Sequence, residues 1–266
     1  MTKHHEDAPL LRQRKGDVEW LIFNRPRLRN ALSSAMEQAL IEAVDAIARD
    51  GSAKAVVFTG MRGEKPAFMA GADMGSLAKA ANPEEAIALE REAETLIVAI
   101  EALRIPTVAA MAGACVGQGA LLASACDVRI AAPSLRFGFP IARTVGNCLS
   151  LMNYARLISM LGEAATKEMI FSAKLLGVDD LLATRSIRAV VGDDEIDDRA
   201  QEVAEALTRL APLTLWATRQ ALLRLRNHGV PPDADDDILA ACYGSRDMQE
   251  AISAFLAKRE PQWLGR

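Results

Sequence analysis

Two short stretches combine residue types that suit stabilisation of negative charge. AGACVGQGALLASACD (Ala112 to Asp127) places three glycines in its first eight residues and then turns apolar. FMAGADM (Phe68 to Met74) follows a similar plan, an apolar strand and then a small-residue turn before a short helix. Backbone N–H groups at such turns and at helix N-termini lack partners and can hold a developing oxyanion. Two of them converging from different strands would suit an enolate or a tetrahedral intermediate. A structural reading stands beside this one, because tight turns before buried helices occur throughout α/β proteins.

Other chemistries find less support. Cys115, Cys126, Cys148 and Cys242 form no CxxC pair and no metal-ligand spacing, and read as small buried hydrophobes. His4 and His5 lie in a polar N-terminal tail, and His228 stands alone. No metal site is expected. A formal net charge of −4 and 5% aromatic residues argue against nucleic-acid binding. The N-terminus MTKHHEDAPL lacks the basic-then-apolar order of a signal peptide. No apolar run approaches the roughly 18 residues of a membrane span, so a cytoplasmic location and no membrane partner are expected.

The elements that would position the two turns read as α/β. VEWLIF (Val18 to Phe23) is a strand, expected at a buried edge, and ends in a proline turn. Ser33 or Ser34 caps a helix whose inward face is Met36, Leu40, Ala43, Val44 and Ile47, with Gly51 as its stop. KAVVFTG is a strand buried on both faces, which gives a parallel strand–helix–strand unit. A short strand falls on Ala67–Met69. A long helix follows, capped by Asn82 with Pro83 in its first turn. Ile105 to Met111, DVRIAA and LRFGF continue as strands, and beyond about Gly146 the chain reads as helical almost to its end.

FNRPRLRNALSSAM, AFMAGADM, IPTVAAMAGACVGQGALLASACDVRIAA, FGFPIARTVGNCLS and EAISAFLAKREPQW occur in this order. Together they resemble the successive blocks of the enoyl-CoA hydratase/isomerase (crotonase) superfamily from about Val18 to the end. The resemblance implies a ββα spiral core over residues 1–205. It also implies a helical region over 206–266, used for assembly as a homotrimer or a dimer of trimers. The ligand would be an acyl-CoA thioester, with coenzyme A part of the substrate and no separate cofactor. The oxyanion donors would be the main-chain amides of Ala72 and Gln118, the latter where the family more often has glycine. Arg27, Arg29, Ala70, Asp73 and Met74 would lie around the coenzyme, the arginines suiting its phosphates. Surface solvation of both arginines and local backbone capping by Asp73 are the alternatives.

The two glutamates that handle water in family hydratases fall here on Leu121 and Ile141, which would line the acyl pocket instead. Between Ala102 and Gly162 the sole carboxylate is Asp127, read as structural. Syn-hydration needs both a base and an acid, so a standard hydratase is not expected. The polar cluster left in that region includes Arg143, Asn147 and Cys148. Arg143, costly to bury unless it meets a carboxylate, would orient a substrate carboxylate, as a decarboxylase needs, or form a structural ion pair with another subunit. Asn147 would orient water or cap the following helix, and Cys148 would pack. A non-catalytic acyl-CoA-binding subunit is the third reading.

Overall fold

The computed structural model describes residues 8–72, 83–228, 236, 240 and 243–262. Asp73, Met74, Asn82 and Cys242 lie outside these. A six-stranded sheet has the order β1 (Leu10–Lys15), β2 (Val18–Phe23), β3 (Ala55–Gly60), β5 (Thr107–Met111), β7 (Val128–Ala131), β9 (Ala189–Val190). Only the β1–β2 pair is antiparallel. A second, parallel sheet holds β4 (Ala67–Met69), β6 (Ala114–Val116) and β8 (Arg136–Gly138).

The chain alternates between these sheets. β3 leads to β4, β5 to β6 and β7 to β8, and each pair is followed by a helix: α2 (Pro83–Ala102), α3 (Gln118–Ala125) and α4 (Ile141–Thr144). This is the ββα spiral expected from the resemblance. α1 (Ser34–Asp50) precedes it. Then come α5 (Leu151–Leu161), α6 (Glu163–Ser172), α7 (Val178–Ala183), α8 (Ile196–Thr208), α9 (Pro212–Asn227) and α10 (Arg246–Leu256). α8 runs through residue 205, where the core was expected to end.

Both faces of the large sheet are covered because successive side chains point to opposite sides. Leu21, Phe23, Val56, Phe58, Ala109 and Met111 pack toward α1 and α2. Trp20, Ile22, Val57, Val108 and Ala110 meet Ile196, Ala200, Val203 and Ala204 of α8. α1 buries Met36, Leu40, Ala43, Val44 and Ile47, as its periodicity requires. Ser33 Oγ accepts the Met36 N–H at its start, and Gly51 closes it at φ 64°.

Two expectations are corrected. Val18–Phe23 is an interior strand, since β1 pairs along its outer side. LLRQRK hid that strand because it is mainly polar and exposed after Leu10. The turn expected after Met111 contains the strand β6, whose three residues lie between glycines.

Candidate active site

The two small-residue turns meet at the open end of the second sheet. β4 and β6 run in parallel, so their C-terminal ends, and the turns after them, lie side by side. Gly71 has φ 103° and Gly117 has φ 56°, a left-handed region open to glycine but costly for other residues. A Cβ at Gly117 would stand 3.4 Å from the Gly71 Cα, and one at Gly71 would stand 3.5 Å from the Val116 carbonyl oxygen. Both are ordinary van der Waals distances, so the need for glycine here comes from the backbone angles rather than from lack of space.

Each glycine precedes an amide of interest. Leu32 N–H donates to the Gly71 carbonyl at 2.8 Å and Ala70 N–H to the Arg29 carbonyl at 3.1 Å, which bracket Ala72 and leave its own N–H without a backbone acceptor among the described residues. Gly117 N–H donates to the Gly138 carbonyl and Leu121 N–H to the Gly117 carbonyl. Gln118, the first residue of α3, likewise has no acceptor for its N–H among the described residues. Its side chain turns away and donates from Nε2 to the Ala93 carbonyl of α2 at 3.1 Å. That bond ties the second turn to the α2 helix.

Arg27 and Arg29 are exposed, on the turn that carries the Arg29–Ala70 bond. Asn30 holds this turn in place. It is fully buried at φ 55°, accepts the Arg25 N–H at Oδ1, and donates from Nδ2 to the Met61 and Ala67 carbonyls. Ala70 is half-buried, while Leu121 and Ile141 are buried in the core.

The polar residues divide differently from the expectation. Arg143 is exposed, with no carboxylate partner among the described residues. The buried arginine is Arg156, 2% exposed, on the same inward stripe of α5 as Asn153 and Leu157. It makes a bidentate pair with Glu101 at 3.0 and 3.2 Å and donates to Asn153 Oδ1 at 2.6 Å. Arg226 of α9 grips the same carboxylate at 2.8 and 2.9 Å. Burial pushes Glu101 up, but the hydrogen bonds from Arg226 and Arg156 outweigh it and hold the carboxyl below the usual range.

Asn147 does not cap the following helix. Ser150 does, accepting the Asn153 N–H, because it sits at the position directly before α5. Asn147 Nδ2 instead donates to the Tyr243 hydroxyl at 3.0 Å, and Tyr243 donates to Glu90 Oε2 at 2.9 Å. Asn153 Nδ2 donates to Glu90 Oε1 at 3.2 Å. The carboxylates of this cluster thus come from α2, ahead of the Ala102–Gly162 stretch in which the sequence holds Asp127 alone. Burial, aided by the neighbouring Glu94 charge, raises the Glu90 carboxyl, against hydrogen bonds from Tyr243, Ser150 and Asn153.

Asp127 accepts the Thr107 N–H and hydroxyl and pairs with Arg219 of α9, a structural task. Cys115, Cys126 and Cys148 are buried thiols outside any disulfide, and burial raises the Cys126 thiol to about 12, which keeps it protonated near neutral pH. Among the described residues no group of three metal-ligating side chains occurs, and no helix is long and apolar enough to cross a membrane.

The model of the enoyl-CoA hydratase/isomerase family matches residues 13–266. The chain belongs to this family. It is 30% identical over 254 residues to a short-chain-enoyl-CoA hydratase of Clostridium acetobutylicum, covering 93% of this chain and 94% of that one. It is 34% identical over 247 residues to a probable enoyl-CoA hydratase of Mycobacterium bovis, covering 91% and 94%. A solved enoyl-CoA hydratase/carnitine racemase from Magnetospirillum magneticum superposes with a TM-score of 0.76 at 30% identity, over 97% of this chain and 96% of that one. A methylmalonyl-CoA decarboxylase superposes at 0.85 with 24% identity, over 97% and 98%, a likeness of fold. The superfamily and the spiral fold expected from the sequence blocks are thus confirmed.

Proposed function

We propose that this chain is an acyl-CoA enzyme that polarises a thioester carbonyl between the Ala72 and Gln118 amides and stabilises the resulting enolate. The observation that carries this reading is the contact of the Gly71 and Gly117 turns, each followed by an N–H without a backbone acceptor among the described residues. Fixed donors aimed at developing charge lower the barrier because they need not reorganise during the reaction. Arg27 and Arg29, exposed next to the first turn, suit the phosphates of coenzyme A.

The reaction is an isomerase- or lyase-type enolate chemistry rather than standard hydration. Buried leucine and isoleucine at positions 121 and 141 cannot hold or activate water. A decarboxylase using Arg143 gains no support from the exposed guanidinium of this chain. The exposed leucines of α9, Leu213, Leu222 and Leu225, support burial in a homotrimer or dimer of trimers.

Exchange of α-protons tests the reading whatever the final product. Acetyl-, butanoyl-, 3-butenoyl- and phenylacetyl-CoA are incubated with the protein in D2O and followed by proton NMR. Enzyme-dependent loss of an α-proton signal is the expected result. No exchange across the panel, with thioester binding intact, points to a non-catalytic binding subunit instead.

A further inference from the structure

We propose that Glu90 is the proton-transfer group of this site, held by Tyr243, with the buried Asn147 Oδ1 receiving a donor from bound substrate or water. The inference rests on the enolate reading and supplies the acid–base residue it lacks.

Three observations converge on Glu90. It is only partly exposed and lies on α2 one helical turn from Ala93, whose carbonyl holds the side chain of Gln118. The side chain of Gln118, whose main-chain amide is one proposed oxyanion donor, is therefore anchored one helical turn from Glu90. Tyr243 OH, Asn153 Nδ2 and the Ser150 N–H all donate to it. An ionised carboxylate has about four acceptor sites, so one remains for an incoming proton. Asn147 Oδ1 is buried with no hydrogen-bond partner among the described residues, although the amide belongs to the same chain of contacts. A buried acceptor left unpaired is costly, and a ligand or water donor would recover that cost.

The chain of bonds can also reverse. With Glu90 ionised, Tyr243 donates to it and Asn147 Nδ2 donates to Tyr243, leaving Asn147 Oδ1 open. With Glu90 protonated, its O–H donates to Tyr243, whose hydroxyl then donates to Asn147 Oδ1 after the amide turns. The open group of Asn147 thus follows the protonation of Glu90, as a site that takes and returns a proton requires.

The step balances within the site. Glu90 accepts the α-proton, and the electron pair of the broken C–H bond forms the enolate double bond. The carbonyl π pair moves to the oxygen between Ala72 and Gln118. Return of the electrons to carbon takes the proton back at the α-position, or at the γ-carbon of a β,γ-unsaturated chain. Glu94 on the same helix and Arg156 of α5 are the charged neighbours of this cluster, and Cys148 borders Tyr243. Burial, aided by Glu94, raises the Glu90 carboxyl, so its base form appears at a higher pH than that of a free glutamate.

The test repeats the exchange experiment on the wild-type protein, Glu90→Gln and Tyr243→Phe, with thioester binding measured in parallel. Glu90→Gln should lose roughly 10²–10⁴-fold in exchange while binding changes little. Tyr243→Phe removes a donor to the carboxylate, so the midpoint of the exchange–pH profile should move upward. Exchange by Glu90→Gln within threefold of wild type, or an unmoved midpoint in Tyr243→Phe, overturns the proposal. Absence of exchange in the wild type overturns the enolate reading beneath it, a distinguishable result.

Discussion

Gly117 packs against Gly71: a Cβ on the first would stand 3.4 Å from the Cα of the second, in ordinary van der Waals contact. Gly117 also has φ 56° and ψ −121°, a combination a side chain disfavours. Gly117→Ala should fold but tilt the Gln118 N–H, lowering α-proton exchange by roughly 10²–10³-fold, the scale of one lost oxyanion donor. Proton NMR of exchange, beside a thermal melt to confirm folding, checks this. Exchange at the wild-type rate would separate the turn from catalysis.

Arg156 is fixed between α2 and α5 by Glu101, Asn153 and Glu94. Arg156→Ala leaves Glu101 with Arg226 alone and removes a buried charge from its partners. A loss of about 3–5 kcal/mol is expected from urea unfolding. Glu101, held low by its two arginines, contributes stability above its unfolded pKa, and this is lost as pH falls through its depressed folded value. Acid unfolding of Arg156→Ala should therefore respond less to pH in that window than the wild type.

Arg219 fastens α9 to the sheet through Asp127 and the carbonyls of Leu103 and Ile105. α9 buries no residue of its own within the chain, so these bonds, with those of Arg226 to Glu101, carry much of its attachment. Arg219→Ala should raise amide hydrogen exchange across Pro212–Asn227 while β3 and β5 stay protected. Uniform protection in both proteins would show that α9 is held by other contacts.

Arg143 and Arg156 show how far the sequence could be read. Both lie in apolar surroundings, and only the helical phase of α5, with Asn153 and Leu157 on the same stripe, assigns burial to Arg156. The regular periods of α1, β2 and β3 were legible because each side chain's environment repeats with the element. So were the two glycine turns proposed to hold the oxyanion, through glycine spacing and the resemblance of ordered blocks. Glu90 was not, because its partner Tyr243 lies 153 residues away and no local pattern joins them. The cap of α5 is Ser150 rather than Asn147, because the helix starts at Leu151 and the Ser150 hydroxyl accepts the Asn153 N–H.

The most direct test is a crystal structure with a bound nitronate or other enolate-mimicking acyl-CoA. The expected result is an analogue oxygen about 2.7–3.1 Å from both the Ala72 and Gln118 amide nitrogens. An oxygen held elsewhere, or either amide already bonded to the protein's own backbone, would contradict the proposed chemistry.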